Sequence, residues 1–402
     1  MRIVAALAVL LCLLSGKSVT ATPESRAGAL FLLISPSGRV DGMGTGGVAL
    51  ADEPGGIYNP ATSPLANPDH VFQSNFGSRP WLTWLASDIS YSYRSLQLAL
   101  PVNSFTRGNP NAVLEGVRLS LHAHSKKLDF GTRVRTDERG NAIGFSNAYD
   151  SATALGFGLG YTGLIDVGVG ATAKKITLSV SQPKSASAFA FDYGIIFGLP
   201  IIQSLEKIRG VPVEGAFYPT ANVYYGIAWK NQGGAKINFG DVSQADPLPS
   251  NYSRGWSMQL GLTRRLESSE FNLAQFTMTG ETYYPTIDGH QPSENELDDK
   301  AGWEIELINT IGIRRGQFSD IDGELTYDTE GLTVKSDGLF QLASDFLKRG
   351  YNYNNETTVK GLAYVLDRLS VSWTKTKHNS TEDNYSSSLI GGESYAQLGF
   401  SF

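Results

Sequence analysis

Ala152-Thr153-Ala154-Leu155-Gly156-Phe157-Gly158-Leu159-Gly160-Tyr161 alternates with a period of two, and its two faces differ in chemistry. Thr153, Leu155, Phe157, Leu159 and Tyr161 fall on one side, Ala152, Ala154, Gly156, Gly158 and Gly160 on the other. Successive side chains of a strand point to opposite faces, so this is a strand with one bulky apolar face and one nearly bare face. A soluble β-sandwich turns polar residues outward and fills a core with large ones. Glycine-lined opposite faces fit lipid outside and a wet or filled lumen inside.

The pattern recurs along the chain. Phe189, Phe191, Tyr193, Ile195 and Phe197 oppose Ala190, Asp192, Gly194, Ile196 and Gly198, and Val223, Tyr225, Ile227 and Trp229 oppose Asn222, Tyr224, Gly226, Ala228 and Lys230. Trp256, Met258, Leu260 and Leu262 oppose Gly255, Ser257, Gln259 and Gly261, and Trp303, Ile305 and Leu307 oppose Glu304 and Glu306. A strand of about ten residues, tilted about 45°, crosses a hydrocarbon core. Tyr161, Trp229, Trp303 and Trp373 stand near segment ends, where aromatic girdles belong. Beyond the N-terminal leader there is no apolar run long enough for a membrane helix, so a chain of this kind spans only as a closed barrel. The expectation is an all-β, transmembrane antiparallel β-barrel of about fourteen strands over residues 85–402. A tight turn is expected at Arg94-Ser95, where the apolar phase flips, and another at Asp367-Arg368. Longer connections are expected at Lys230 to Arg254 and Glu281 to Ala301, and short helices at Ile201 to Ile208 and Leu339 to Leu347.

The two ends of the chain point to export. Residues 1–21 carry Arg2, an apolar run from Ile3 to Leu14 and Val19-Thr20-Ala21 as a cleavage site, the pattern of a secretory signal peptide. Cys12, the single cysteine of 402 residues, lies inside that run behind Leu10-Leu11, which is not a lipoprotein acceptor context. The mature chain is therefore expected to have neither disulfides nor thiolate metal sites. The last strand, Ser394 to Phe402, sets Ala396, Leu398, Phe400 and Phe402 on one face. Phe400 and Phe402 are read as the assembly signal for the barrel assembly machinery, and the cell outer membrane of a Gram-negative-type bacterium, with its lipid, as the location. A net charge of −6 argues against a nucleic-acid partner.

Little in the sequence suggests catalysis or a cofactor. His122 and His124 share a strand face but have no identifiable third ligand, and polar lumen histidines account for them better than a metal site. Glu304 and Glu306, near Arg314 and Arg315, read as lumen charges rather than an acid–base pair. No Gly-x-Ser-x-Gly elbow occurs. Gly42, Gly44 and Gly47 match the dinucleotide spacing, but without βαβ repetition the better account of Gly42, Gly44, Gly46 and Gly47 is close backbone packing. The chain is read as non-enzymatic, with no cofactor and no metal.

Residues 22–84 precede the first confident strand, a span far longer than the four to six residues typical of a connection. Phe31 to Ile34, Val48, Leu50, Ile57 and Tyr58 give it enough apolar content to fold. Gly156, Gly158, Gly160, Gly168 and Gly170 leave room for it inside the barrel. The order Gly42-Met43-Gly44, Ala49-Leu50-Ala51-Asp52 and Tyr58-Asn59-Pro60-Ala61 resembles the N-terminal plug of the FadL-like outer-membrane barrels. Phe31-Leu32-Leu33-Ile34-Ser35-Pro36, Thr136 to Gly144, Tyr149-Asp150 and Ala245-Asp246-Pro247-Leu248-Pro249 resemble, more closely, the PorV-like branch linked to type IX secretion. The resemblance implies a fourteen-stranded barrel with a lumenal plug whose Asn-Pro-Ala motif is Asn59, Pro60 and Ala61. It also implies help in delivering secreted cargo proteins, with secretion-system subunits as partners; the alternative is a FadL-type channel for hydrophobic small molecules.

Overall fold

The computed structural model describes residues 27–401 apart from 67–70, 82–85, 103–114, 182–183, 211–214, 241–244, 266–269, 288–296, 321–324, 350–356 and 381–392. The leader 1–21 and Phe402 lie outside the described residues. The strands are β1 Phe72–Pro80, β2 Ser90–Pro101, β3 Val117–Thr136, β4 Ala142–Tyr161, β5 Asp166–Ser181, β6 Lys184–Pro200 and β7 Phe217–Gln232. Two short strands follow, β8 Lys236–Ile237 and β9 Asp246–Pro247, then β10 Asn251–Arg265, β11 Glu270–Pro285, β12 Asp298–Leu307, β13 Ile311–Asp320, β14 Leu325–Lys335, β15 Leu369–Ser380 and β16 Glu393–Ser401.

Among the described residues, fourteen strands form one antiparallel sheet that closes on itself; β8 and β9 pair separately. Closure is made by β1, which pairs with β2 on one side and with β16 on the other, from Gln73↔Ser401 to Ser78↔Ala396. A closed sheet leaves no edge strand for another chain to pair with. Phe400 stands opposite Ser74 and Leu369 in this seam.

The two faces expected from the alternation are realised. Leu155, Phe157 and Leu159 are exposed, Phe157 to 60%, while Gly156 and Gly158 between them are buried. Phe189, Phe197, Val223, Tyr225, Trp256, Leu260, Ile305 and Trp373 are likewise exposed on the outer face. The inner face is glycine, alanine and polar residues, including buried His122, Thr172, Asp192, Ser257, Thr277 and Glu304.

Four expectations need correction. No turn forms at Arg94-Ser95, because β2 runs straight through it, pairing with β1 and β3. Tyr91 and Tyr93 point inward and are buried, whereas Leu96 points outward; the apparent phase flip is a change in which face is apolar. The barrel begins before Trp84, since β1 starts at Phe72. The loops are shorter than expected, with β7 extending to Gln232 and β11 to Pro285. Arg315 lies on the outer face, 3.3 Å from Asp328 and well exposed, so only Arg314 of that pair faces the lumen.

The expected helices form as Ile201–Arg209 and Asp337–Arg349, the second paired with a further helix, Thr357–Leu366, that the sequence reading missed. All three lie at the end of the barrel where β1 starts and β16 ends. At the other end, β3 and β4, 20 residues each, run on past Asp129 and Tyr149, where pairing with β2 and β5 stops. Their free hairpin turns at Asp137, whose carboxylate accepts hydrogen bonds from the backbone N–H of Arg139 and Asn141.

Candidate functional site

Residues Ala27–Ala66 contain only single helical turns, such as Gly38–Asp41 and Pro60–Thr62, yet they are the most buried part of the chain. Val40, Met43, Ala49, Leu50, Asn59, Ala61 and Ser63 have no exposed surface. Irregular backbone at that depth must find its hydrogen bonds elsewhere. Here they come partly from tight turns inside the segment, such as Asp41 N–H to the Ser37 carbonyl and Thr62 N–H to that of Asn59, and partly from the inner wall of the barrel.

Glycines of the wall are seats for this segment. A methyl group at Gly158 would stand 2.8 Å from Pro64, one at Gly160 2.9 Å from Pro64, and one at Gly255 2.8 Å from Val48. One at Gly170 would meet the Pro60 carbonyl, one at Gly168 that of Ala61, and one at Gly302 would lie 2.5 Å from that of Met43. Four of the five glycines singled out in the sequence therefore touch the segment; Gly156 instead faces His122 and Thr172. Within the segment, Gly44 has φ +70 and sits against the Gln317 and Ala301 carbonyls, where a side chain would be both strained and obstructed. Gly42, Gly44, Gly46 and Gly47 all lie against the wall. The Gly44 N–H donates to Thr329 Oγ1 at 2.9 Å, Thr329 in turn donates to the Gly42 carbonyl, Thr279 donates to that of Gly46, and Gly47 N–H donates to Glu281.

Asn59 ties two layers together. Its backbone is extended, as a residue before proline prefers. Its Nδ2 donates to the Val48 carbonyl at 2.9 Å and to the Ile195 carbonyl of β6 at 3.2 Å, while Oδ1 accepts from the Ala61 N–H. Asn59→Ala would leave buried carbonyls without donors, at about 1–3 kcal/mol. The expected result is earlier proteolysis of the segment in an otherwise folded barrel, read by limited digestion.

Charged groups fasten the remainder. Glu304 of β12 receives Arg39 Nε at 2.7 Å and Arg314 NH2 at 2.6 Å, and Arg39 also meets Asp52 at 3.0 Å and Glu53 at 3.6 Å. Burial disfavours the Arg39 charge, but Asp52, Glu304 and Glu53 more than offset it and hold its pKa well above the ordinary value. Glu53 moves upward, because burial outweighs the pull of Arg39. Asp41 accepts from Thr376 Oγ1 at 3.1 Å and faces His378 Nε2 at 3.2 Å and Arg79 at 3.8 Å. Burial works against its carboxylate, but His378 and Arg79 draw its pKa below the ordinary 3.8. A carboxyl held low contributes stability above 3.8 that is lost as pH falls through its lowered value, so Asp41 should release the segment only in strong acid. Protease susceptibility measured against pH should stay flat down to about that value and then rise.

His122 and His124 are stacked at 6.4 Å on the inner face. His122 bonds Ser63 Oγ at 3.0 Å and Thr172 Oγ1 at 2.8 Å, so it serves the contact between segment and wall. No metal-ligating group of three or more such side chains occurs among the described residues.

Two cavities remain beside the segment. The lower, about 410 Å³, opens near Arg39, Glu53, Gln73, Glu306, Lys335 and Arg368. The upper, about 280 Å³, lies between Leu32, Leu33, Ile34, Ile57 and Tyr58 of the segment and a charged wall. That wall has Lys126, Lys174 and Lys230 with Asp192 on one side, Lys300 with Glu281, Asp298 and Asp320 on the other. The alternation placed Lys230 on the inward face, whereas Lys126, Lys174 and Lys300 were missed by sequence reasoning. Each sits on the inward phase of its strand, a signal that was available, but only the closed sheet brings strands so distant in sequence to one cavity.

No family profile matches this chain, and no curated protein matches it. Solved structures resemble it at low similarity. The toluene transporter TodX of Pseudomonas putida is 10% identical, covering 86% of this chain and 92% of its own, at a TM-score of 0.33. A Pseudomonas aeruginosa FadL homologue is 8% identical over 90% and 96%, at 0.35, and the CymD monoaromatic hydrocarbon channel 10% identical over 90% and 96%, at 0.37. The barrel assignment above stands on the strand pairing of this chain itself.

Proposed function

We propose that the protein is an outer-membrane barrel plugged by its own N-terminal segment, residues 27–66, through which small, largely hydrophobic molecules pass. The observation that carries this reading is the upper cavity, walled on one side by Leu32, Leu33, Ile34, Ile57 and Tyr58 of a segment that is fastened, not covalently fixed, to the barrel. Pockets for small ligands combine apolar walls with placed polar groups, and this one sets an apolar face of the segment against a charged wall. Residues Asn59, Pro60 and Ala61 are the plug's anchor on β6 in this reading, and Gly42, Gly44, Gly46 and Gly47 its close contacts with the wall. The apolar outer face supports the membrane setting. Phe157→Arg would place a charge in hydrocarbon at about 2–4 kcal/mol, and Gly158→Arg would be limited by collision with Pro64. Heat-modifiable gel migration should therefore be lost at lower temperature for the first, and the plug displaced in the second.

The test is entry of N-phenylnaphthylamine into cells whose outer leaflet resists hydrophobic solutes. Cells expressing the protein should take up the dye faster than cells without it; equal rates would refute the channel.

A second reading, delivery of secreted cargo proteins as in the PorV-like branch, has one observation in its favour. On the free hairpin of β3 and β4, Val134 stands opposite Phe145 and, with Ile143, forms an exposed apolar patch, Phe145 being 76% exposed. Such a patch beyond the barrel suits a protein partner. Phe145→Ser should leave dye entry unchanged, and loss of a surface-delivered cargo in that variant would favour delivery over transport.

A further inference from the structure

The acidic groups of the upper cavity are already engaged. Asp192 lies 2.7 Å from Lys174 and accepts the Asn231 N–H. Glu281 accepts from the N–H groups of Gly47 and Val48 through one oxygen and lies 3.5 Å from Lys300 through the other. Asp298 and Asp320, beyond Lys300, have partners as well. The balance on the other side differs. Lys126 Nζ donates only to the backbone carbonyls of Leu32 at 3.3 Å and Ile34 at 3.5 Å. Lys230 Nζ stands 5.2 Å over the ring of Tyr58. Among the described residues neither has a carboxylate within 4.0 Å.

Two ammonium groups facing one cavity with no carboxylate in contact are costly, and the cost falls when a ligand brings negative charge into contact with them. Carbonyl oxygens and a tyrosine face stabilise an ammonium without neutralising it, which leaves both groups able to accept an anion. The same cavity offers Leu33, Ile57 and Tyr58 to an apolar body. Its volume of about 280 Å³ admits a small molecule and is too small for a whole phospholipid.

We infer that the upper cavity binds a small phosphate monoester, its dianionic head between Lys126 and Lys230 and its apolar part against Leu33, Ile57 and Tyr58. Two ammonium groups without a carboxylate in contact can take the two charges of a phosphate monoester near −2, and lysine binds phosphate well as a point charge. The inference deepens the channel reading and rests on it only for the route by which the solute reaches the cavity.

Phenyl phosphate, benzoate and benzyl alcohol share a ring and carry about two, one and no charges near pH 7. Equilibrium dialysis of the full chain in non-ionic detergent should show saturable binding of phenyl phosphate, weaker with added salt, and at least roughly tenfold weaker binding of benzoate and benzyl alcohol. Lys126→Met and Lys230→Met, which keep the apolar stem, should each weaken phenyl phosphate binding roughly tenfold. Lys127→Met, whose lysine pairs with Asp129 nearby, should not change it. Heat-modifiable migration checks that each variant is folded. Equal binding of the three probes, or full binding by folded Lys126→Met and Lys230→Met, would overturn the inference. Dye entry without phenyl phosphate binding would overturn it while leaving the channel; phenyl phosphate binding without dye entry would uphold the site and refute the channel.

Discussion

Deleting Leu30 to Ala61 should turn a barrel closed to ions into a conducting pore in planar bilayers, the largest functional change expected of any alteration. The deletion removes Arg39, Asp41, Gly47, Val48 and Asn59, the groups that bind Glu304, His378, Glu281 and Ile195 on the wall. It leaves the ladder intact, because closure runs through β1, β2 and β16. Heat-modifiable migration should persist. Unchanged conductance after deletion, or porin-like conductance before it, would remove the plug.

Glu304→Ala should be the most damaging single substitution in the wall. Glu304 is 1% exposed and lies within 2.7 Å of both Arg39 and Arg314, so its loss leaves Arg314 buried beside Arg39 without their shared carboxylate. Breaking a buried pair by removing one partner costs about 3–5 kcal/mol. Arg39 keeps Asp52 and Glu53, so the greater part of the cost falls on Arg314. The unfolding temperature read from gel migration should drop clearly. Glu304→Gln, which retains one acceptor, should fall between; a variant as stable as the parent would mean that water reaches the pair.

The barrel was legible because strand alternation is local. Leu155 and Phe157 against Gly156 and Gly158 declare their two faces within ten residues. What periodicity does not tell is what each face meets. Tyr91 and Tyr93 precede the expected turn at Arg94-Ser95, but they point inward from one continuous strand, and Tyr91 donates to the Ile34 carbonyl of the segment. Aromatic rings inside the barrel are stable there because the segment, not water, covers them. The first strand was missed for a related reason: Gln73, Ser74 and Asn75 lack apolar alternation, and pairing with β2 and β16 holds them in place. The bare faces at Gly158, Gly160, Gly168 and Gly170 announced room, and Asn59-Pro60-Ala61 announced a turn. That these meet, and that Lys126 and Lys230 meet a common cavity, depends on closure of the sheet, which joins residues far apart in the chain.

The placement of the N-terminal segment inside a membrane-inserted barrel is tested most directly by a cysteine pair, Gly46→Cys with Lys300→Cys. A Cβ at position 46 lies 3.6 Å from that of Lys300, within the roughly 3.5–4.5 Å that a disulfide spans. The one native cysteine, Cys12, falls in the apolar run from Ile3 to Leu14. In isolated outer membranes the pair should oxidise to a single intramolecular disulfide, and the protein should resist labelling by a water-soluble maleimide. Two free thiols, both labelled at full rate in a folded, membrane-inserted chain, would contradict the account.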